Sequence, residues 1–131
     1  MKKIKMMGIF FTVAAFAVFF YSCAQNDDDE TMTISGRLDK FVADVNNSPG
    51  SVYTNCHPDA AKYNQAKPAE YWTTNFGTGF ALSDRSTSGT TVTATGSGGN
   101  FNGFPIAFTM QEDGTDNWKI KTISVASFSF N

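Results

Sequence analysis

The chain has 131 residues, 15% of them aromatic and 17% charged. Its 10 basic and 12 acidic residues give a net charge of −2 and form no basic cluster, which removes the electrostatic footprint of a nucleic-acid binder. With only 2 cysteines and a single histidine, the inventory for metal, redox or general acid–base chemistry is small.

The first elements in chain order are a charged start and an apolar run. Lys2, Lys3 and Lys5 precede Gly8–Tyr21, which carries no charge. As a helix that run extends about 21 Å, short of the roughly 30 Å of hydrocarbon in a bilayer. A removable signal peptide over residues 1–22 is predicted instead of a membrane span. Ser22 is small enough to stand before a scissile bond, and Cys23 follows it. Phe20-Tyr21-Ser22-Cys23 resembles a bacterial lipobox, although phenylalanine stands where leucine is usual. The resemblance implies lipidation at Cys23 and a membrane anchor.

Asp27-Asp28-Asp29-Glu30 then form an acidic run with no apolar neighbour able to bury area, so residues 23–30 read as a solvated tether. Acidic runs behind a lipidated cysteine resemble the surface-export tags of Bacteroidetes lipoproteins. Ala24 stands after the cysteine instead of aspartate, which by resemblance to enterobacterial sorting implies the outer membrane. The expected address is the cell envelope, on an outer-membrane lipoprotein that faces the surface or the periplasm. Without Lys2, Lys3 and Lys5 the processed chain has 7 basic and 12 acidic residues. Setting the acidic run aside leaves 7 against 8 in residues 31–131, a nearly neutral domain.

Residues 31–131 have the length of one domain. Ile34, Leu38, Phe41, Val42 and Val45 form one helical stripe, so a helix is predicted over 32–46, with Arg37, Asp39, Lys40 and Asp44 on its solvent side. Asn46-Asn47-Ser48-Pro49-Gly50 ends it. A short helix through Asn55 stops at His57-Pro58, and another starts at Pro68 and carries Tyr71, Trp72 and Phe76. If Cys23 is lipidated, Cys56 has no disulfide partner and reads as a buried, inert thiol.

Four antiparallel strands are predicted after these helices: Gly79–Ser86, Thr90–Gly96, Phe104–Gln111 and Asn117–Phe128. Phe104, Ile106, Phe108 and Met110 alternate onto one face. The last strand moves its apolar set from Trp118 and Ile120 to Ile123 and Val125, which demands a bulge and a strongly bent sheet. The fold class is α+β, with helices covering one concave face of a four-stranded sheet.

The long first helix, His57-Pro58-Asp59-Ala60, Tyr71-Trp72 and Asp116-Asn117-Trp118-Lys119-Ile120 resemble the nuclear transport factor 2-like superfamily and the cystatin-like lipoproteins of unknown function. The resemblance implies a cone between helix and sheet. A small apolar ligand would meet Tyr63, Tyr71, Trp72, Phe76, Phe108 and Trp118 there, whereas composition alone favours the plainer reading that the many aromatics of residues 31–131 fill the core. Relatives often form homodimers through the outer sheet face, which here carries Thr91, Thr93 and Thr95. Fold alone does not choose a function.

Two readings follow. One is a lipid-anchored, non-enzymatic module that binds a small ligand or an envelope protein. The alternative is a small pocket enzyme of the isomerase or hydrolase type, with Asp59 as general base and His57 assisting it. No cofactor is called for. Cys56, His57 and Asp59 lack the separated ligand pairs that close a tetrahedral metal site. Gly96-Ser97-Gly98-Gly99 has no lysine and precedes no helix, so it is a hairpin connection and not a phosphate loop.

Overall fold

The computed structural model describes residues 31–131, and the signal segment, Cys23 and the acidic tether lie outside the described residues. Helix α1 spans Ile34–Asn47. It starts later than the apolar spacing suggests because Thr33 is the N-cap, its Oγ1 accepting from the Gly36 N–H at 3.0 Å. Met32 is drawn instead into a parallel bridge with Asn117, its N–H donating to the Asp116 carbonyl at 2.9 Å. At the other end Asn46 grips Phe80 from both sides. Its Nδ2 donates to the Phe80 carbonyl at 2.7 Å, and its Oδ1 accepts from the Phe80 N–H at 2.9 Å. One side chain thereby joins the end of α1 to the entry of the sheet.

A 3-10 helix, Pro49–Asn55, follows, and then helix α2, Ala69–Phe76, with Pro68 as its N-cap residue. The sheet is an open meander of five antiparallel strands in sequence order: β1 Ala81–Ser88, β2 Thr91–Ser97, β3 Pro105–Glu112, β4 Trp118–Val125 and β5 Phe128–Phe130. The expectation of four strands is corrected at its last member. The chain reverses after Val125 through Ala126-Ser127, and Phe128–Phe130 pair back onto Ile123–Val125. Ala126 takes a φ of +48°, a conformation that side chains other than glycine adopt at a cost and that nothing in Ala-Ser announces.

The bulge expected in the last strand is present. Thr109 pairs with Thr122 but Met110 pairs with Ile120, so Lys121 is the extra residue of a bulge, and Ile120 and Ile123 both face inward. A second bulge lies in β1 at Asp84 and Arg85, where Asp84 has a φ of +53° and Arg85 reaches Asp39 of α1 at 2.7 Å. Phe104 departs from the expected alternation. Strand β3 begins one residue later, and Phe104 is 44% exposed while Ile106, Phe108 and Met110 are buried.

The core is aromatic. Phe41 of α1 meets Trp72, Phe76, Phe80 and Phe108 edge-on, with ring centroids 5.6 to 6.4 Å apart. Such edge-to-face contacts are each worth about 0.5–1.5 kcal/mol beyond their area. Phe101 comes from the glycine-rich connection and packs on Phe76 at 5.0 Å. Glycine is required there at three points: a Cβ on Gly96 would enter the Phe101 carbonyl, one on Gly98 the Gly79 carbonyl, and one on Gly99 the Phe76 carbonyl. The connection is a packed 3-10 turn, Gly99–Phe101, that inserts a ring into the core.

Candidate functional site

His57 follows the 3-10 helix and is held to the sheet, its N–H donating to the Ile120 carbonyl at 2.8 Å. The ring is 5% exposed. Its Nδ1 accepts from the backbone N–H of Asp59 at 3.1 Å, which leaves the proton on Nε2, facing the Glu112 carbonyl at 3.1 Å. In this arrangement the imidazole ties the Asp59 turn to the β3–β4 hairpin and keeps no lone pair for a substrate. The Asp59 carboxylate lies 3.9 Å from Nδ1 and its side chain is 73% exposed. These two residues are near each other, but neither lines either of the grooves described below.

Cys56 is fully buried, and burial pushes its thiol far above the ordinary value of 9.0. A thiol so held is a small apolar filler and a poor nucleophile.

The six aromatic residues expected to share one pocket are distributed over four places. Trp72, Phe76 and Phe108 have no exposed surface and pack around Phe41. The Trp72 indole N–H donates to the Ala66 carbonyl at 2.6 Å, so this ring is fixed and its one polar group satisfied. Tyr63 stacks edge-on with Tyr53 at 5.7 Å, and the Lys67 ammonium lies 5.4 Å from the Tyr63 ring centre and 5.9 Å from that of Tyr53. Trp118 borders a groove beside the start of α1, with Met32, Ile34 and Asp116. Tyr71 alone of the six reaches the other groove.

That groove has a volume of about 450 Å³. It runs between α2, the turn before it and the β4–β5 hairpin, and Lys62, Gln65, Tyr71, Asn75, Phe101 and Phe128 are among its walls. Tyr71 sits edge-on to Phe128 with ring centres 6.0 Å apart, and burial raises its phenol above the ordinary 10.0, so the hydroxyl keeps its proton at neutral pH. Phe128 belongs to the strand that sequence reasoning did not separate, so half of this wall had no signal beyond an apolar residue near the chain's end.

Arg37 is the second residue placed wrongly by periodicity. Instead of facing solvent it is 1% exposed. Its Nε donates to the Trp118 carbonyl at 2.7 Å, Nη1 to Asn55 Oδ1 at 3.1 Å and Nη2 to Asn117 Oδ1 at 2.8 Å. Asn55, also buried, passes the network on to Asp44 at 2.8 Å, which is paired with Lys40 at 2.8 Å. The guanidinium thus welds α1, the 3-10 helix and the start of β4 together.

Among the described residues no helix is long and apolar enough to cross a membrane. Comparison of the chain with protein-family models, with curated proteins and with solved structures gives no match.

Proposed function

We propose that the chain is a lipid-anchored protein of the bacterial cell envelope, carried on the outer membrane, whose folded unit is a non-enzymatic binding module. The observation that carries this reading is the order of the first thirty residues: lysines, a short uncharged apolar run, Ser22-Cys23, then four acids. The acidic run suits a tether that keeps the domain away from anionic headgroups. A helix laid on a bent antiparallel sheet supports kinship with the cystatin-like arrangement.

The absence of catalysis in this reading rests on how the scarce reactive groups are used. The His57 ring commits both nitrogens to main-chain groups, Cys56 is sealed in the core, and Asp59 stands in solvent. Binding, which needs shape and surface chemistry only, asks for none of them.

The test is intact-mass analysis of the full chain expressed in a diderm bacterium and recovered from membranes. The expected species starts at Cys23, carries a diacylglyceryl group there and has lost residues 1–22. A Cys23→Ala chain is expected to stay unprocessed and unlipidated. Recovery of a chain cleaved elsewhere with a free Cys23 thiol refutes the anchor.

A further inference from the structure

The groove beside α2 has an unusual wall chemistry for a surface depression. Its aromatic side is an outcrop of the core: Tyr71 is held edge-on to Trp72 at 5.1 Å, and Phe128 is pinned by Phe76 at 5.3 Å and Phe101 at 6.0 Å. Rings fixed from behind are preorganised, so a ligand that lies on them does not have to order them. The rest of the wall is amide and hydroxyl. Asn75 gives its Nδ2 to the Tyr71 carbonyl at 2.6 Å, which orients its Oδ1. Among the described residues the side chains of Gln65, Thr74 and Ser127 make no hydrogen bond to the protein, so their donors and acceptors serve solvent or a ligand.

Charge and polarity narrow the ligand. Lys62 is the one ionic residue in the wall, and its ammonium is already bonded to the Ser129 carbonyl. That leaves no free pair of cations for a phosphate or carboxylate and no acid for a cation. Six of the nine residues in the wall are polar and three are aromatic, which leaves no continuous apolar surface for a lipid tail or a hydrophobic peptide face. What matches two aromatic rings held in place and flanked by neutral groups that both donate and accept is a molecule with apolar C–H faces and a rim of hydroxyls.

The geometry points to this groove as a binding site for a neutral oligosaccharide, with Tyr71 and Phe128 as the platform and Gln65, Thr74, Asn75 and Ser127 reading the hydroxyls. The inference rests on the folded unit being a binding module and names its ligand class. At about 450 Å³ the groove is within the usual range of small-ligand sites, roughly 300–1,000 Å³.

The test uses the full-length, anchored chain in a detergent without a sugar headgroup. Titration calorimetry is run against neutral gluco-, manno- and xylo-oligosaccharides, with oligogalacturonate and sialyllactose as charged controls. Binding of at least one neutral probe is expected, about tenfold weaker in Tyr71→Ala, the loss typical of truncating an aromatic anchor. It should be abolished in Ser127→Trp, which fills the groove from an exposed position, and unchanged in Thr93→Trp on the outer sheet face. Near-ultraviolet circular dichroism and thermal melting establish that each variant is folded. No neutral probe bound, preference for the charged controls, or binding that survives Ser127→Trp each overturns the proposal. The Cys23 mass is read on the same preparation, so loss of the anchor and loss of the glycan site are separate results.

Discussion

Arg37 and Asn55 meet in the interior at 3.1 Å, guanidinium to amide oxygen, with both side chains almost fully buried. Asn55 receives the charge-assisted bond on one end of its amide and donates to Asp44 and to the Val52 carbonyl on the other. A buried cation held this way is costly to disturb, because removing a partner leaves a polar group without water. Arg37→Met is expected to lose about 3 kcal/mol in urea unfolding, and Arg37→Lys about 2 kcal/mol because an ammonium cannot serve the fork of acceptors. In a cycle with Asn55→Leu, the double variant should lose less than the sum of the singles by about 1 kcal/mol. Strict additivity would show that the two side chains do not act as a unit.

His57 ties two turns together, and its tautomer is set by the Asp59 N–H that Nδ1 accepts. Nitrogen-15 spectra of the imidazole should therefore show the neutral ring protonated on Nε2. His57→Phe leaves the Glu112 carbonyl and the Asp59 N–H without their partner and is expected to cost about 1–3 kcal/mol. Asp59→Ala, at a side chain 73% exposed, should stay within about 0.5 kcal/mol of the parent. A ring protonated on Nδ1, or a large effect of Asp59→Ala, contradicts this arrangement.

The parts of the fold carried by periodicity were readable in the sequence. The α1 stripe, its stop near Asn47, the alternation of Ile106, Phe108 and Met110, and the bulge demanded by the change of parity between Ile120 and Ile123 are all found. What escaped depends on contacts distant in sequence or on backbone geometry without a residue signature. Arg37 lies inside because its acceptors come from positions 18 and about 80 residues away, and an amphipathic pattern counts any arginine as surface. Strand β5 was fused to β4 because Ala126 turns the chain with a positive φ that sequence rules reserve for glycine or asparagine. The groove inherits the second omission, because Ser127, Phe128 and Ser129 of the β4–β5 hairpin line it.

Phe41 is the ring through which α1, α2 and the sheet share one core. Phe41→Ala opens a cavity touched by four other rings and should cost about 4 kcal/mol, toward the upper end for such truncations. For a domain of this size each kcal/mol lowers Tm by about 4–8 °C, so calorimetry has ample range. Trp72→Phe retains most of the packing but leaves the Ala66 carbonyl without the indole N–H, an expected loss of about 1–2 kcal/mol. If Phe41→Ala melts within a few degrees of the parent, the aromatic cluster is not the centre of the core.

Stability should fall at alkaline pH, and Cys56 is the reason. In the unfolded chain the thiol ionises near its ordinary value of 9.0, whereas burial holds it protonated in the fold well beyond that. Above pH 9 the unfolded state therefore binds fewer protons than the native one, and stability falls as pH rises, by about 1.4 kcal/mol per pH unit for this one group. Tyr63 and Tyr71, whose phenols are also raised by burial, add to the slope above about pH 10 in the same sense. Below pH 9 the thiol is protonated in both states and contributes no pH dependence. Urea midpoints measured from pH 8 to 10.5 should be flat and then descend, and Cys56→Ala should remove the part of the descent that begins near pH 9. The cavity left by alanine lowers stability equally at every pH, so any change of slope in this variant comes from the missing thiol. An unchanged slope in Cys56→Ala would mean that Cys56 is accessible enough to ionise in the folded protein.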